Sequence, residues 1–151
     1  MIAVSKSLKN SNEITRFEDL TDAKWSGKIC SRPGSPVYNR ALLSSIIAAN
    51  GNKAAFAWAK GLVENFARSP RGNDRSQIKA IFSGECAIAL VNHYYYGKLI
   101  NSEDPAHRKW AESVNIIIPN QGPTDRGAHI NISGGGIAKH AKNLEEAKQF
   151  M

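Results

Sequence analysis

Cys86–Val91 is an apolar run with no alternation of polar and apolar side chains. A strand with one face in water alternates, so an unbroken apolar run reads as a strand buried on both faces. Such a strand needs a packed layer on each side, and that requirement restricts the fold more than any other feature of the chain.

The remaining segments supply those layers. Ile2–Ser5, Lys28–Ser31, Asn115–Ile118 and His129–Ile132 read as further short strands. Arg32-Pro33-Gly34-Ser35-Pro36 and Ser133-Gly134-Gly135-Gly136 are turn signals, and Lys6–Arg16 and Asn120–Arg126 are connections. Phe17–Trp25 reads as a helical turn and a loop anchored by Trp25. Leu42, Leu43, Ile46 and Ile47 fall on one helix face, with Gly51 as C-cap. A second helix is predicted from Lys53 to Arg68, with Phe56, Ala59, Leu62, Val63 and Phe66 at core spacing. Asp74 with Gln77 predicts a capping box opening a helix to Phe82. His93–Ile100 and Asp104–Ser113 read as helices, and Asn143 with Glu146 opens a last one. Strands separated by helices imply an α/β, three-layer sandwich with a largely parallel sheet.

Composition narrows the function classes. The net charge of +7 suits anions, but the basic residues are scattered, with no run of four. A nucleic-acid-binding surface would cluster them and interleave aromatics, so no nucleic-acid partner is expected. No apolar run is long enough to cross a membrane, and Met1–Asn10 holds no apolar core of signal-peptide length. Two cysteines cannot form a four-cysteine zinc site. The segment Gly134–Lys139 fails the phosphate-loop pattern, and no nucleophile–base pair is visible, so an enzyme is not expected.

The most unusual stretch is Asn92-His93-Tyr94-Tyr95-Tyr96-Gly97, directly after the buried strand. Ligands in open α/β sheets bind beyond the carboxyl ends of strands. Tyrosine runs often simply pack. The alternative is metal ligation: a hard trivalent ion can expel the phenolic proton and hold the phenolate, so a cysteine-free, tyrosine-rich site points to ferric iron. Tyr38, the fourth tyrosine, follows the turn after the Lys28–Ser31 strand.

Several segments occur in an order that resembles ferric-iron-binding periplasmic proteins, the substrate-binding components of bacterial iron ABC transporters. They are Lys28-Ile29-Cys30-Ser31-Arg32, Val37-Tyr38-Asn39, Trp58-Ala59-Lys60-Gly61-Leu62-Val63, Gly72-Asn73-Asp74, Ile88-Ala89-Leu90-Val91-Asn92, Tyr94-Tyr95-Tyr96 and Gly127-Ala128-His129-Ile130-Asn131-Ile132-Ser133-Gly134. The resemblance runs from about Phe17 to Met151. It implies that residues 1–151 form the second lobe of a two-lobed clamp of the type II periplasmic binding fold. The first lobe is missing from this chain, and Ile2–Ser5 and His129–Ser133 resemble the crossover strands. It also implies Tyr38, Tyr94 and Tyr95 as ligands to Fe(3+), with Tyr96 as packing. Ser35, Asn73 and Asn92 would support a carbonate- or phosphate-like anion. The resemblance further implies a periplasmic location and an ABC transporter permease as partner. A different small anion or metal–anion complex is the alternative ligand, because this architecture changes ligand without changing fold.

Cys30 and Cys86 flank strands that end at the proposed site. Adjacent parallel strands would bring them within bridging range, and an exported relative would keep such a disulfide; two buried thiols are the alternative. His93 is expected at the cleft rim and His129 in a structural role.

Overall fold

In the computed structural model, which describes residues 1–132 and 134–151, a four-stranded sheet runs in the order β2-β3-β1-β4. The strands are β1 (Ile2–Ser5), β2 (Ile29–Cys30), β3 (Ile88–Leu90) and β4 (Val114–Ile117). The α/β, three-layer expectation holds, but the sheet is mixed rather than largely parallel. β2 and β3 are parallel, whereas β1 is antiparallel to both β3 and β4. Four consecutive residues of β1 carry no mark of direction; the order of strands around it sets that.

Alternation along the strands sorts side chains into two layers. Ile2, Val4, Ile29, Ile88 and Leu90 join one core with Trp25, Leu42, Ile46, Trp58 and Leu62. Ala3, Cys30 and Ala89 join the other with Ile78, Ile81, Leu99 and Ala111. The first layer is α1 (Val37–Glu64) with three short 3-10 turns at Ser11–Glu13, Glu18–Thr21 and Ala23–Trp25. The second is α2 (Asp74–Phe82), α3 (His93–Ile100) and α4 (Pro105–Glu112). α5 (Leu144–Phe150) contributes no buried residue. No helix among the described residues is long and apolar enough to cross a membrane.

Gly51 breaks α1 with φ 77°, a conformation that favours glycine, and so ends one helical phase and starts another. Past that break Ala55, Trp58 and Leu62 face inward. Phe56 and Val63, expected in the core, are 75% and 59% exposed. Each lies one position beyond a buried residue, about 100° around the helix. The helix stops at Glu64 rather than Arg68. Asn65 turns inward there, and its Nδ2 donates to the carbonyls of Leu20 and Asp22.

Two other local expectations shift. The capping box of α2 is Asn73 with Ser76, not Asp74 with Gln77. Gln77 instead donates to the Arg71 and Asn73 carbonyls, and Asp74 is drawn elsewhere. His129–Ile132 is coil, with Ile130 and Ile132 exposed; alternation gives no strand without a ladder partner. Ser133, the start of the predicted turn and the end of the second crossover segment, lies outside the described residues.

Cys30 and Cys86 form a disulfide with Cα atoms 5.9 Å apart. The parallel β2–β3 pairing brings the two segments together. Closing a loop of 56 positions stabilises by about 4 kcal/mol in chain-entropy terms. The bridge ties together the two strands whose carboxyl ends carry the tyrosine segments.

Candidate metal centre

β2 and β3 end side by side, and each runs into the start of a helix. Tyr38 is the second residue of α1, and Tyr94 and Tyr95 lie in the first turn of α3. The Tyr94 hydroxyl donates to the Tyr38 hydroxyl at 3.0 Å. The Tyr95 ring packs on the Tyr94 ring with centroids 4.3 Å apart. Neither helix start has a side-chain cap.

Tyr38 and Tyr94 edge a cavity of about 620 Å³, which Tyr95 does not line. Its floor is apolar, with Phe17, Leu42, Leu90 and Ile116. Its polar lining includes Tyr38, Asn39, Asp74, Asn92, His93 and Tyr94. His93 meets Tyr94 edge-on at 6.0 Å, in keeping with a rim position. His129, expected to be structural, lines the cavity from a coil segment and pairs with Asn131 at 3.0 Å. Tyr96 lines it too, while packing against the α2–α4 core.

Charge is concentrated around the tyrosines. The Arg32 guanidinium lies 4.9 Å from the centre of the Tyr38 ring, and Lys98 Nζ lies 5.9 Å from that of Tyr94. Both contacts are cation–π in geometry. The Tyr94 phenol is pushed well above its ordinary range. Burial comes first among the causes, followed by hydrogen bonds with Tyr38 and Tyr95 and by repulsion among the phenolates. Tyr94 thus keeps its proton and donates it to Tyr38.

The three tyrosines expected together are brought together. The three anion-support candidates are not. Asn92 lines the cavity, donates to Asp74, and accepts from Asn131 Nδ2 at 3.2 Å. Ser35 sits exposed in the turn before α1. Asn73 caps α2, its Oδ1 accepting from the Ser76 N–H at 3.1 Å. Neither lines the cavity. Sequence reasoning missed Asp74 and Arg32, which form an ion pair at 2.6 Å with Asp74 fully buried. Arg32 and Asp74 close the segments Lys28–Arg32 and Gly72–Asp74, but a polar residue at a helix start reads first as a cap. No group of three His, Cys, Asp or Glu suited to a metal ion occurs among the described residues.

The chain is similar to known proteins in sequence and fold. The family pattern of bacterial extracellular solute-binding proteins matches residues 5–151. The chain is 44% identical over 151 residues to iron uptake protein A1 of Synechocystis sp., covering 100% of this chain and 41% of that protein. It superposes on the ferric binding protein from Campylobacter jejuni with TM-score 0.92 and 44% identity, over 100% of this chain and 48% of that one. A Trichodesmium structure described as IdiA (FutA) in complex with iron and citrate ligands gives TM-score 0.91 and 44% identity, over 99% and 46% of the two chains. This chain thus spans less than half the length of these relatives. With its whole described fold matched and the family pattern running nearly end to end, the chain belongs to the bacterial extracellular solute-binding protein family.

Proposed function

We propose that residues 1–151 form the tyrosine-bearing lobe of a periplasmic protein that binds ferric iron and delivers it to an ABC importer, without catalysis. One observation carries the reading: the hydroxyls of Tyr38 and Tyr94 meet at 3.0 Å at the carboxyl ends of β2 and β3, with Tyr95 stacked beside them. The likeness to proteins named for iron uptake and ferric binding supports it.

The chemistry is an exchange of protons for a metal ion. In the metal-free site, protons lie between phenol oxygens that would otherwise repel. A trivalent ion replaces them and holds all three oxygens as phenolates. Three phenolates balance a trivalent ion, so an accompanying carbonate- or phosphate-like anion would leave the site negative, and the nearby Arg32 and Lys98 would offset that charge. Asn92, which lines the cavity, would contact that anion through the amide proton not given to Asp74. Ser35 and Asn73, which do not line the cavity, are left out of that contact. A first lobe, supplied by the rest of a longer protein, would add further ligands and exclude water. An ABC transporter permease would receive the loaded form.

The test is a titration with ferric nitrilotriacetate, followed in the visible. A phenolate-to-iron charge-transfer band is expected, and Tyr38→Phe and Tyr94→Phe should weaken it strongly while the double variant abolishes it. Because each phenol must lose a proton that the metal-free site retains, apparent affinity should fall as pH is lowered. A band that survives in the double variant removes both residues from the site and overturns the reading.

A further inference from the structure

Asp74 has no exposed surface, although it borders a cavity. A buried carboxylate is costly unless every oxygen is paired. Here Oδ2 accepts from Arg32 Nη1 at 2.6 Å. Oδ1 accepts from the backbone N–H of Asn92 at 2.7 Å and from its side-chain amide at 2.9 Å. These two partners belong to different strand ends. Arg32 follows β2, and Asn92 follows β3 and immediately precedes α3.

Each partner leads to a tyrosine. The Arg32 guanidinium stands over the Tyr38 ring at 4.9 Å. Among the described residues, Asp74 is the only hydrogen-bond partner of that guanidinium, whose buried Nε has none. Asn92 starts the helix whose first turn carries Tyr94 and Tyr95. The Tyr94 hydroxyl, donating to Tyr38 at 3.0 Å, closes the circuit. Asp74 is the one member joined to both strand ends.

We propose that Asp74 is a positioning residue for the tyrosine cluster: it touches no phenol, and it sets the separation of the Tyr38 and Tyr94 oxygens by clamping Arg32 and Asn92. The binding consequence rests on the ferric reading above; the geometric claim holds in the metal-free protein.

The experiment compares the protein with Asp74→Asn, which keeps the size and removes the charge. Three quantities are read: the metal-free crystal structure, the rate at which excess EDTA strips iron from protein loaded with ferric nitrilotriacetate, and the unfolding midpoint. In the variant, the Tyr38 and Tyr94 hydroxyls should lie beyond hydrogen-bond distance. EDTA should remove iron about 10- to 100-fold faster, with the visible band shifted or weakened. Arg32→Lys keeps the charge but loses the planar group over Tyr38, so it should act in the same direction and less strongly. If Asp74→Asn does not fold, Arg32→Lys decides on the same readouts.

A variant with the hydroxyls still paired and an unchanged stripping rate overturns the proposal, whatever its midpoint; Asp74 is then a packing residue. If the unsubstituted protein shows no ferric band, the ferric reading fails by itself. The metal-free structure then decides: separated hydroxyls uphold the positioning role, and an unchanged pair overturns it.

Discussion

The cavity wall made by the ends of β2 and β3 is fastened by ionic and amide hydrogen bonds, whereas the wall made by Ile116, Ile118 and residues 128–131 turns isoleucines toward solvent. On the first wall, Asp74 is fully buried between Arg32 and Asn92, and the Cys30–Cys86 bridge ties the strands beneath it. On the second, Ile118 and Ile130 are 61% and 76% exposed. Among the described residues, a hydrogen bond joins the walls, Asn131 Nδ2 donating to Asn92 Oδ1 at 3.2 Å. The difference teaches that the tyrosines sit on the built side. There the Tyr94 hydroxyl donates to Tyr38 and the strand ends beneath are held by Asp74.

Substitutions should separate the walls by energy. Ile88→Ala, beneath the first wall and fully buried, should cost about 2–5 kcal/mol in urea unfolding. A small effect there would mean that the layer under the tyrosines is not close-packed. Acid tests the fastening of the chain that leads to the second wall. Glu18 accepts from Arg126 Nη1 at 2.6 Å, and from Asn120 and Asn50 at 3.0 Å. Burial would raise its carboxyl, but these hydrogen bonds outweigh burial and hold it at about 2, against an ordinary value of 4.5. A folded-state value below the unfolded one stabilises above pH 4.5 and is lost as pH falls toward 2. Glu18→Gln should therefore flatten the loss of stability across that window, and an unchanged acid profile would remove Glu18 as the anchor. The smallest effect is expected from Ile130→Ser, within about 0.5 kcal/mol. A larger loss would show that the second wall is already packed in this chain.

The built wall was the legible one. Cys86–Val91 announces a doubly buried strand because both faces lack polar residues, and the observed β3 puts Ile88 and Leu90 in one core and Ala89 in the other. The tyrosines were legible because their placement after two strand ends is a property of sequence order. Asp74 was not, because burial is set by the meeting of β2, β3 and α2, and a short motif cannot distinguish a buried clamp from a helix cap. The antiparallel setting of β1 was hidden for the same kind of reason, since pairing direction depends on segments far along the chain. Phe56 and Val63 were assigned inward by their spacing, but Gly51 resets the helical phase and Trp58 takes the inward place, its Nε1 donating to the Phe17 carbonyl at 2.8 Å. His129–Ile132 has strand-like alternation and no partner to pair with.

The central claim is that three phenol oxygens share one ion. A crystal loaded with ferric nitrilotriacetate and measured at the iron absorption edge tests it most directly. One anomalous peak within bonding distance of the Tyr38, Tyr94 and Tyr95 oxygens is the predicted result. A peak elsewhere, or iron bound with the Tyr94–Tyr38 hydrogen bond intact, would contradict it.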